Sequence, residues 1–259
     1  MLKKLRDQIF HVGVFACIPA VSEEDTLRAT EALVNGGMQG IILSWNKKLA
    51  ATIEKIHARY PHLLIGAQGP YDKASQLFAS GVAFIVDSAG VPAKIQVPFL
   101  LRQNNNLLDG TDVLAQCSGK IVFSNDIRQQ KWDEITARAQ QALAYMLGFE
   151  LRHVGINHLD AAQADKTAGQ FEHLFGFAKA DKGGAYFAGP YIEAMKKMFY
   201  GKYGHIAIAT NNAARAAWYL EQRGARFNWK SADYNADGTL RVVYLQDEIG
   251  GFAVHILQK

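Results

Sequence analysis

Cysteine is scarce. The chain has two, Cys17 and Cys117, too few for a disulfide framework or a metal cage of thiolates. Both read as buried reduced thiols in a reducing compartment. Long apolar runs are also missing, and none approaches the ~18 residues that suggest a membrane span. Residues 1–8 are charged and polar and precede only a short apolar run. They lack the long apolar region and small-residue cleavage site of a signal peptide. The expectation is a cytoplasmic protein with no membrane partner. No charge of one sign dominates. The net charge is +4 and the basic residues are scattered, which argues against a nucleic-acid surface and suits a small anionic substrate. What is there is the composition of a soluble globular protein, 49% hydrophobic and 20% charged. A chain of 259 residues can bury one large core or two ordinary ones.

Two rhythms divide the chain. In the first half, short apolar runs alternate with amphipathic stretches. Residues 11–20 read as a strand, and Ser22 is placed to cap a helix over 23–35 that Gly36-Gly37 ends. Strands follow at 40–45, 63–67 and 83–87, with helices at 49–60 and 73–80 between them. This alternation predicts βαβ units and a parallel sheet. Residues 96–101 and 120–124 read as two more strands around a polar stretch, 103–116. Trp132, Ile135, Ala139, Leu143 and Met146 then recur at helical spacing, the apolar stripe of a helix over 129–147 that Gly148 stops. The domain boundary falls here, giving domains over 1–148 and 149–259.

The second half runs strand, helix, strands, and does so twice. The first copy has a strand at 152–157, a helix at 161–175 and a pair of strands within 185–197. The second has a strand at 204–210, a helix at 212–223 and strands at 226–229, 241–246 and 252–258. The residues themselves repeat. His153-Val-Gly-Ile and His205-Ile-Ala-Ile open the copies, and Phe171…Phe175-Gly-Phe177 answers Trp218-Tyr219…Gly224-Ala-Arg-Phe227.

This half, from about Leu151 onward, resembles the vicinal-oxygen-chelate superfamily, which includes glyoxalases, certain epimerases and extradiol dioxygenases. The resemblance implies two βαβββ modules, each giving one metal ligand from its first strand and one from its last. His153 and His205 match the first-strand ligands. Glu193, in Tyr191-Ile-Glu-Ala-Met, matches the last-strand ligand of the first module. In Asp247-Glu-Ile-Gly-Gly-Phe-Ala-Val-His255, aligning on Gly251 puts His255 where the family carries glutamate. The implied cofactor is a divalent metal ion, since imidazole and carboxylate oxygen suit zinc, nickel, manganese or iron. Glu193 is the candidate catalytic base. Arg226, Arg241 and Tyr244 are candidates to hold a substrate carboxylate or phosphate, with solvated side chains as the plain alternative. His11, His57, His62, His158 and His173 show no such pattern and read as surface or core residues.

The first half is similar to 2-keto-3-deoxy-6-phosphogluconate aldolase, a class I aldolase built as a (β/α)₈ barrel. The likeness lies in Ala32-Leu-Val-Asn-Gly-Gly-Met-Gln-Gly-Ile-Ile, in Ile65-Gly-Ala-Gln, in Ser118-Gly-Lys-Ile-Val-Phe-Ser-Asn-Asp and in Trp132-Asp-Glu-Ile-Thr-Ala-Arg-Ala. Residues 87–118 are too few for the remaining strand–helix units, each of which needs about thirty residues. The expected fold is therefore an incomplete (β/α) barrel of five or six strands. The segment that carries the family's imine-forming lysine falls in the gap. Ile42 stands at the catalytic glutamate and Asn46 at the carboxylate-binding arginine. Lys94 and Lys120 are the only lysines offered near the gap, and aldolase activity is expected to be lost.

The α/β and α+β halves together point to a metal-dependent lyase, isomerase or epimerase acting on a small oxygenated acid, the sugar-acid character resting on the aldolase resemblance. A non-catalytic small-molecule-binding protein with degenerate domains is the rival from another class. An extradiol-type dioxygenase and a retained aldolase follow. An incomplete barrel exposes sheet edges and apolar surface, which predicts a homodimer or larger assembly.

Overall fold

Leu5, Ile9 and Val12 fall on one helical face, and the computed structural model begins with that helix, α1 (Leu2–Val12). The structure describes residues 2–69, 71–87, 99–101 and 115–259. Among them the chain divides into two units, Met1–Met146 and Leu147–Lys259.

In the first unit Gly13, with φ of 70°, ends α1 and turns the chain into β1 (Val14–Ile18). The expected strand over 11–20 is thus shorter, because the apolar run is shared between the helix end and the strand. Then come α2 (Glu23–Asn35), β2 (Gly40–Ser44), α3 (Leu49–Arg59), β3 (Leu64–Gln68), α4 (Ala74–Ala79), β4 (Phe84–Asp87), β5 (Phe99–Leu101) and β6 (Gln116–Ser118). The Ser22 side chain caps α2 by accepting from Asp25 N–H at 3.1 Å. All six strands run parallel in the order β5-β4-β3-β2-β1-β6. First and last strands are neighbours, as in a barrel. Among the described residues β5 and β6 remain the sheet's two edges, which makes the unit an incomplete (β/α) barrel.

Two expectations about the end of this unit are corrected. The strand expected at 120–124 lies earlier, at β6. Ile121 and Val122 are buried but irregular, and Arg138 Nε donates to the Ile121 carbonyl at 2.9 Å in place of a strand partner. The long helix is broken. A short α5 (Ser124–Arg128) precedes α6 (Trp132–Leu147), with Gln130 at a positive φ of 53° between them. The stripe of Ile135, Ala139 and Leu143 is buried as its spacing requires. Of the expected strand at 96–101, residues 96–98 lie outside the described residues, as does Lys94. Ile42 is 1% exposed within β2, and Lys120 is exposed just after β6.

The second unit contains β7 (Glu150–Asn157), α7 (Ala161–Phe175), β8 (Lys179–Asp181), β9 (Ala185–Ala188) and β10 (Ile192–Met195). Its second half repeats them as β11 (Gly204–Thr210), α8 (Ala213–Glu221), β12 (Phe227–Tyr234), β13 (Leu240–Leu245) and β14 (Phe252–Gln258). This is βαβββ twice, joined in one eight-stranded sheet of order β12-β13-β14-β11-β7-β10-β9-β8. Both helices begin on side-chain caps, Asp160 to Gln163 N–H and Asn212 to Arg215 N–H. Within each module the first strand pairs in parallel with the last, and the two first strands meet antiparallel at the centre. Ala164 and Ala168 of α7 pack with Ala188 and Ala194 on one face of the sheet. Strand alternation then turns Phe187 and Glu193 to the opposite face.

Candidate metal centre

The register of the second sheet places the candidate ligands in two adjacent rows on that opposite face. Glu193 pairs with Gly155, Gly155 with His205, and His205 with Ala253. Two residues along, His153 pairs with Ala207, Ala207 with His255, and His255 with Tyr244. Residues two apart on a strand share a face. Each module's last-strand residue therefore faces the other module's first-strand histidine across a glycine or an alanine. The small residues leave room for the rings. At Gly155 a Cβ would lie 2.1 Å from Cε1 and 2.3 Å from Nδ1 of His205.

Three of the four expected ligands converge. Nε2 of His153 and Nε2 of His205 each lie 3.0 Å from Oε2 of Glu193, and 3.1 Å from one another. Among the described residues these three have ligand atoms that all fall within 4.8 Å of one another. His255 stands beside them, its ring centroid 5.2 Å from that of His205 and 5.7 Å from that of His153, but outside the group. Its neighbour across the sheet is Ala207, which stands between His255 and His153 as Gly155 stands between Glu193 and His205.

A divalent ion fits this donor set. No choice of tautomers satisfies all three contacts. If both Nε2 atoms carry protons they face each other, and if one does not, its lone pair faces the carboxylate. A cation accepts all three lone pairs at once. Donors about 3 Å apart also match an ion with bonds of roughly 2.0–2.2 Å at near right angles. Nδ1 of His205 and Nδ1 of His255 are buried without a hydrogen-bond partner among the described residues, so the protein alone leaves this cluster under-satisfied.

The electrostatics agree. Burial pushes the Glu193 carboxyl up, but hydrogen bonds from His153 and His205 outweigh it and hold it at about 2. Burial, with its histidine neighbours, lowers the His255 imidazole to about 3, so that ring stays neutral. Burial pushes the Tyr244 phenol up, helped by the charge of Glu193. It keeps its proton throughout the physiological range.

Of the three candidates for substrate contact, only Tyr244 reaches the cluster, its ring 4.5 Å from that of His255 and 6.3 Å from that of His205. Arg241 lies one residue out of phase with Val242 and Tyr244, which turns it to the other face, where it pairs with Asp233. Arg226 forms an exposed two-pronged pair with Asp247, at 2.7 Å and 2.9 Å through Nη2. His158 is held by Thr167 Oγ1 at 2.8 Å and His173 is exposed, as their lack of pattern suggested. Sequence reasoning passed over Phe187. It pairs with Glu193 across β9 and β10 and sets its ring 5.8 Å from that of His153, the counterpart of Tyr244 in the other module. Its inward position follows from pairing between strands, which the local pattern does not reveal.

No family model and no curated protein matches the chain. Solved structures do. A 2-keto-3-deoxy-6-phosphogluconate aldolase from Zymomonas mobilis is 16% identical with a TM-score of 0.42, over 54% of this chain and 96% of its own. KDPG aldolase from Legionella pneumophila is 14% identical with a TM-score of 0.46, over 53% of this chain and 97% of its own. Methylmalonyl-CoA epimerase from Mycobacterium tuberculosis is 14% identical with a TM-score of 0.30, over 42% of this chain and 86% of its own. These likenesses concern fold alone.

Proposed function

We propose that the C-terminal unit holds a divalent metal ion on His153, Glu193 and His205 and acts as a lyase, isomerase or epimerase on a small oxygenated acid. The observation that carries this reading is the convergence of two Nε2 atoms on one carboxylate oxygen, at 3.0 Å each, over a backbone position, Gly155, that bears no side chain. A bound ion would hold two neighbouring substrate oxygens and stabilise negative charge developing on them. Zinc, nickel, manganese and iron all suit the set.

The chain's own groups divide the remaining work. The Glu193 oxygen that meets both Nε2 atoms at 3.0 Å would have its lone pair committed to the shared ion, which favours Glu193 as a ligand over the base role expected of it. Tyr244 keeps its proton and lies on the same face, placed to donate a hydrogen bond to an anionic oxygen of the substrate. Phe187 shields the opposite side from water.

Metal analysis of protein purified without chelators or a metal-affinity tag tests the reading, with titration of the stripped protein beside it. One equivalent of metal is expected. His205→Ala should abolish tight binding and Glu193→Gln should weaken it, while His158→Ala and His173→Ala should do neither. Protein that neither carries nor takes up metal overturns the proposal. A second reading has its own support. With His255 outside the set, two histidines and one carboxylate also suit iron(II) oxygen chemistry. Iron in the purified protein together with substrate-dependent oxygen uptake would favour it.

A further inference from the structure

Two large aromatic side chains stand half in solvent beside the ligand cluster, and one partly buried amide holds their loop there. Phe199 and Tyr200 are each 44% exposed, in the segment 196–203 that links the two modules. Asn157 lies two residues beyond Gly155 on β7 and so on the same face as the ligands. Its Oδ1 accepts from Phe199 N–H at 3.2 Å, and its Nδ2 donates to the carbonyls of Gly201 at 2.8 Å and Phe199 at 3.2 Å. Gly201, at φ of 82°, lets the loop press onto the sheet, for a Cβ there would lie 2.5 Å from the Ala253 nitrogen. The loop is thereby clamped over the end of the ligand face.

What it presents is a continuous run of rings. Tyr200 lies 5.0 Å and Phe199 6.2 Å from the ring of Tyr244, and Tyr244 lies 4.5 Å from the ring of His255. Exposure rises along the run, from His255 at 5% to the 44% of the two loop rings. Exposed aromatic surface costs solvation unless something covers it, and such surface beside a polar site marks a ligand groove. A ring face stacks on flat, conjugated groups with little regard to their polar detail. The metal donors would fix one end of a ligand, and the loop rings would flank whatever lies next to it.

We propose that Phe199, Tyr200 and Tyr244 form a stacking wall for a flat, conjugated or aromatic portion of the substrate, attached directly to the oxygens held at the metal centre. The proposal rests on the metal-site reading and adds the substrate class. Phe199 and Tyr200 then determine specificity, and Asn157 is a positioning residue that acts through them.

Two chelating probes that differ only in the group attached to their paired oxygens test it, acetohydroxamate and benzohydroxamate. Their affinities for the metal-loaded full chain are measured by calorimetry. Benzohydroxamate should bind more tightly by on the order of tenfold. In the double variant Phe199→Ala, Tyr200→Ala the ratio should fall to within about twofold of one, with metal affinity unchanged. Asn157→Ala keeps both rings but frees the loop, so the ratio should fall part of the way. This arm, and the ratio in the unaltered protein, keep the test decisive if the double variant folds poorly. Equal affinities in the unaltered protein, or a ratio that survives loss of both rings, overturn the stacking wall and leave the patch as a surface for another protein. Failure to load metal overturns the metal-site reading instead, so the two failures are distinct.

Discussion

Replacing Gly155 with alanine adds one methyl group at the centre of the candidate site, and its effect can be worked from distances. The new carbon would sit 2.1 Å from Cε1, 2.3 Å from Nδ1 and 2.5 Å from Nε2 of His205. An unstrained carbon contact is about 3.5–4.0 Å, so ring and strand must separate by more than about 1 Å. β7 has little freedom to yield, since it is paired on both sides, to β10 and to β11. The His205 ring is 2% exposed and is itself closely surrounded. A metal bond tolerates displacement of about 0.2 Å. The retreat therefore removes His205 from the set, leaving His153 and Glu193. Zinc or nickel affinity, measured by calorimetry on stripped protein, should fall by at least about 100-fold, and overpacking should cost about 1–3 kcal/mol of stability. Gly169→Ala is the matched control. It lies inside α7 where an added Cβ meets nothing within 4 Å. It should leave affinity unchanged and stabilise the unit by about 0.5–1 kcal/mol through helix propensity. If Gly155→Ala binds metal with unchanged affinity, the His205 ring does not lie over β7 and the reasoning fails.

Three further outcomes are expected. Burial holds His255 at about 3 against 6.5 in the unfolded chain, and Glu193, despite its burial, is held by its histidine hydrogen bonds at about 2 against 4.5. In both cases the unfolded chain binds protons that the folded one refuses. The metal-free protein should therefore lose stability as pH falls from about 6.5 towards 3 and, for Glu193, from 4.5 towards 2. Denaturant midpoints followed with pH check this, and His255→Gln should flatten the upper part of the curve. Borohydride should trap no pyruvate imine on the chain, because the aldolase resemblance puts the imine-forming lysine in the missing segment and Ile42 in place of the base. A pyruvyl adduct in the mass spectrum would show otherwise. The edges β5 and β6 that the six-stranded sheet keeps among the described residues predict a homodimer or larger, checked by sedimentation at micromolar concentration. A monomer refutes it.

Why some of this was legible in the sequence and some was not follows from where each signal resides. Strand alternation is local, so the last strand, residues 252–258, could be placed from the chain alone. The paired openings His153-Val-Gly-Ile and His205-Ile-Ala-Ile are also local, and they located two of the three residues that converge, Tyr191-Ile-Glu-Ala-Met the third. Helix α1 was legible in principle, since Leu5, Ile9 and Val12 carry its period, but its charged positions masked the stripe. What escaped depends on partners distant in sequence. Arg241 and Tyr244 are out of phase on one strand, but only the register of β13 against β14 shows that Tyr244, paired with His255, is the one on the ligand face. Phe187 looked like any strand aromatic until pairing with Glu193 turned it toward the ligands. His255 occupies the position that symmetry assigns to a ligand, yet it stands apart from the three that meet. The two modules are not equivalent at the spot that matters. Gly155 gives His205 a bare backbone to lie on, whereas Ala207 sets a methyl between His153 and His255. The two near-repeats thus differ by one carbon at the position between the paired ligand candidates, glycine in one module and alanine in the other.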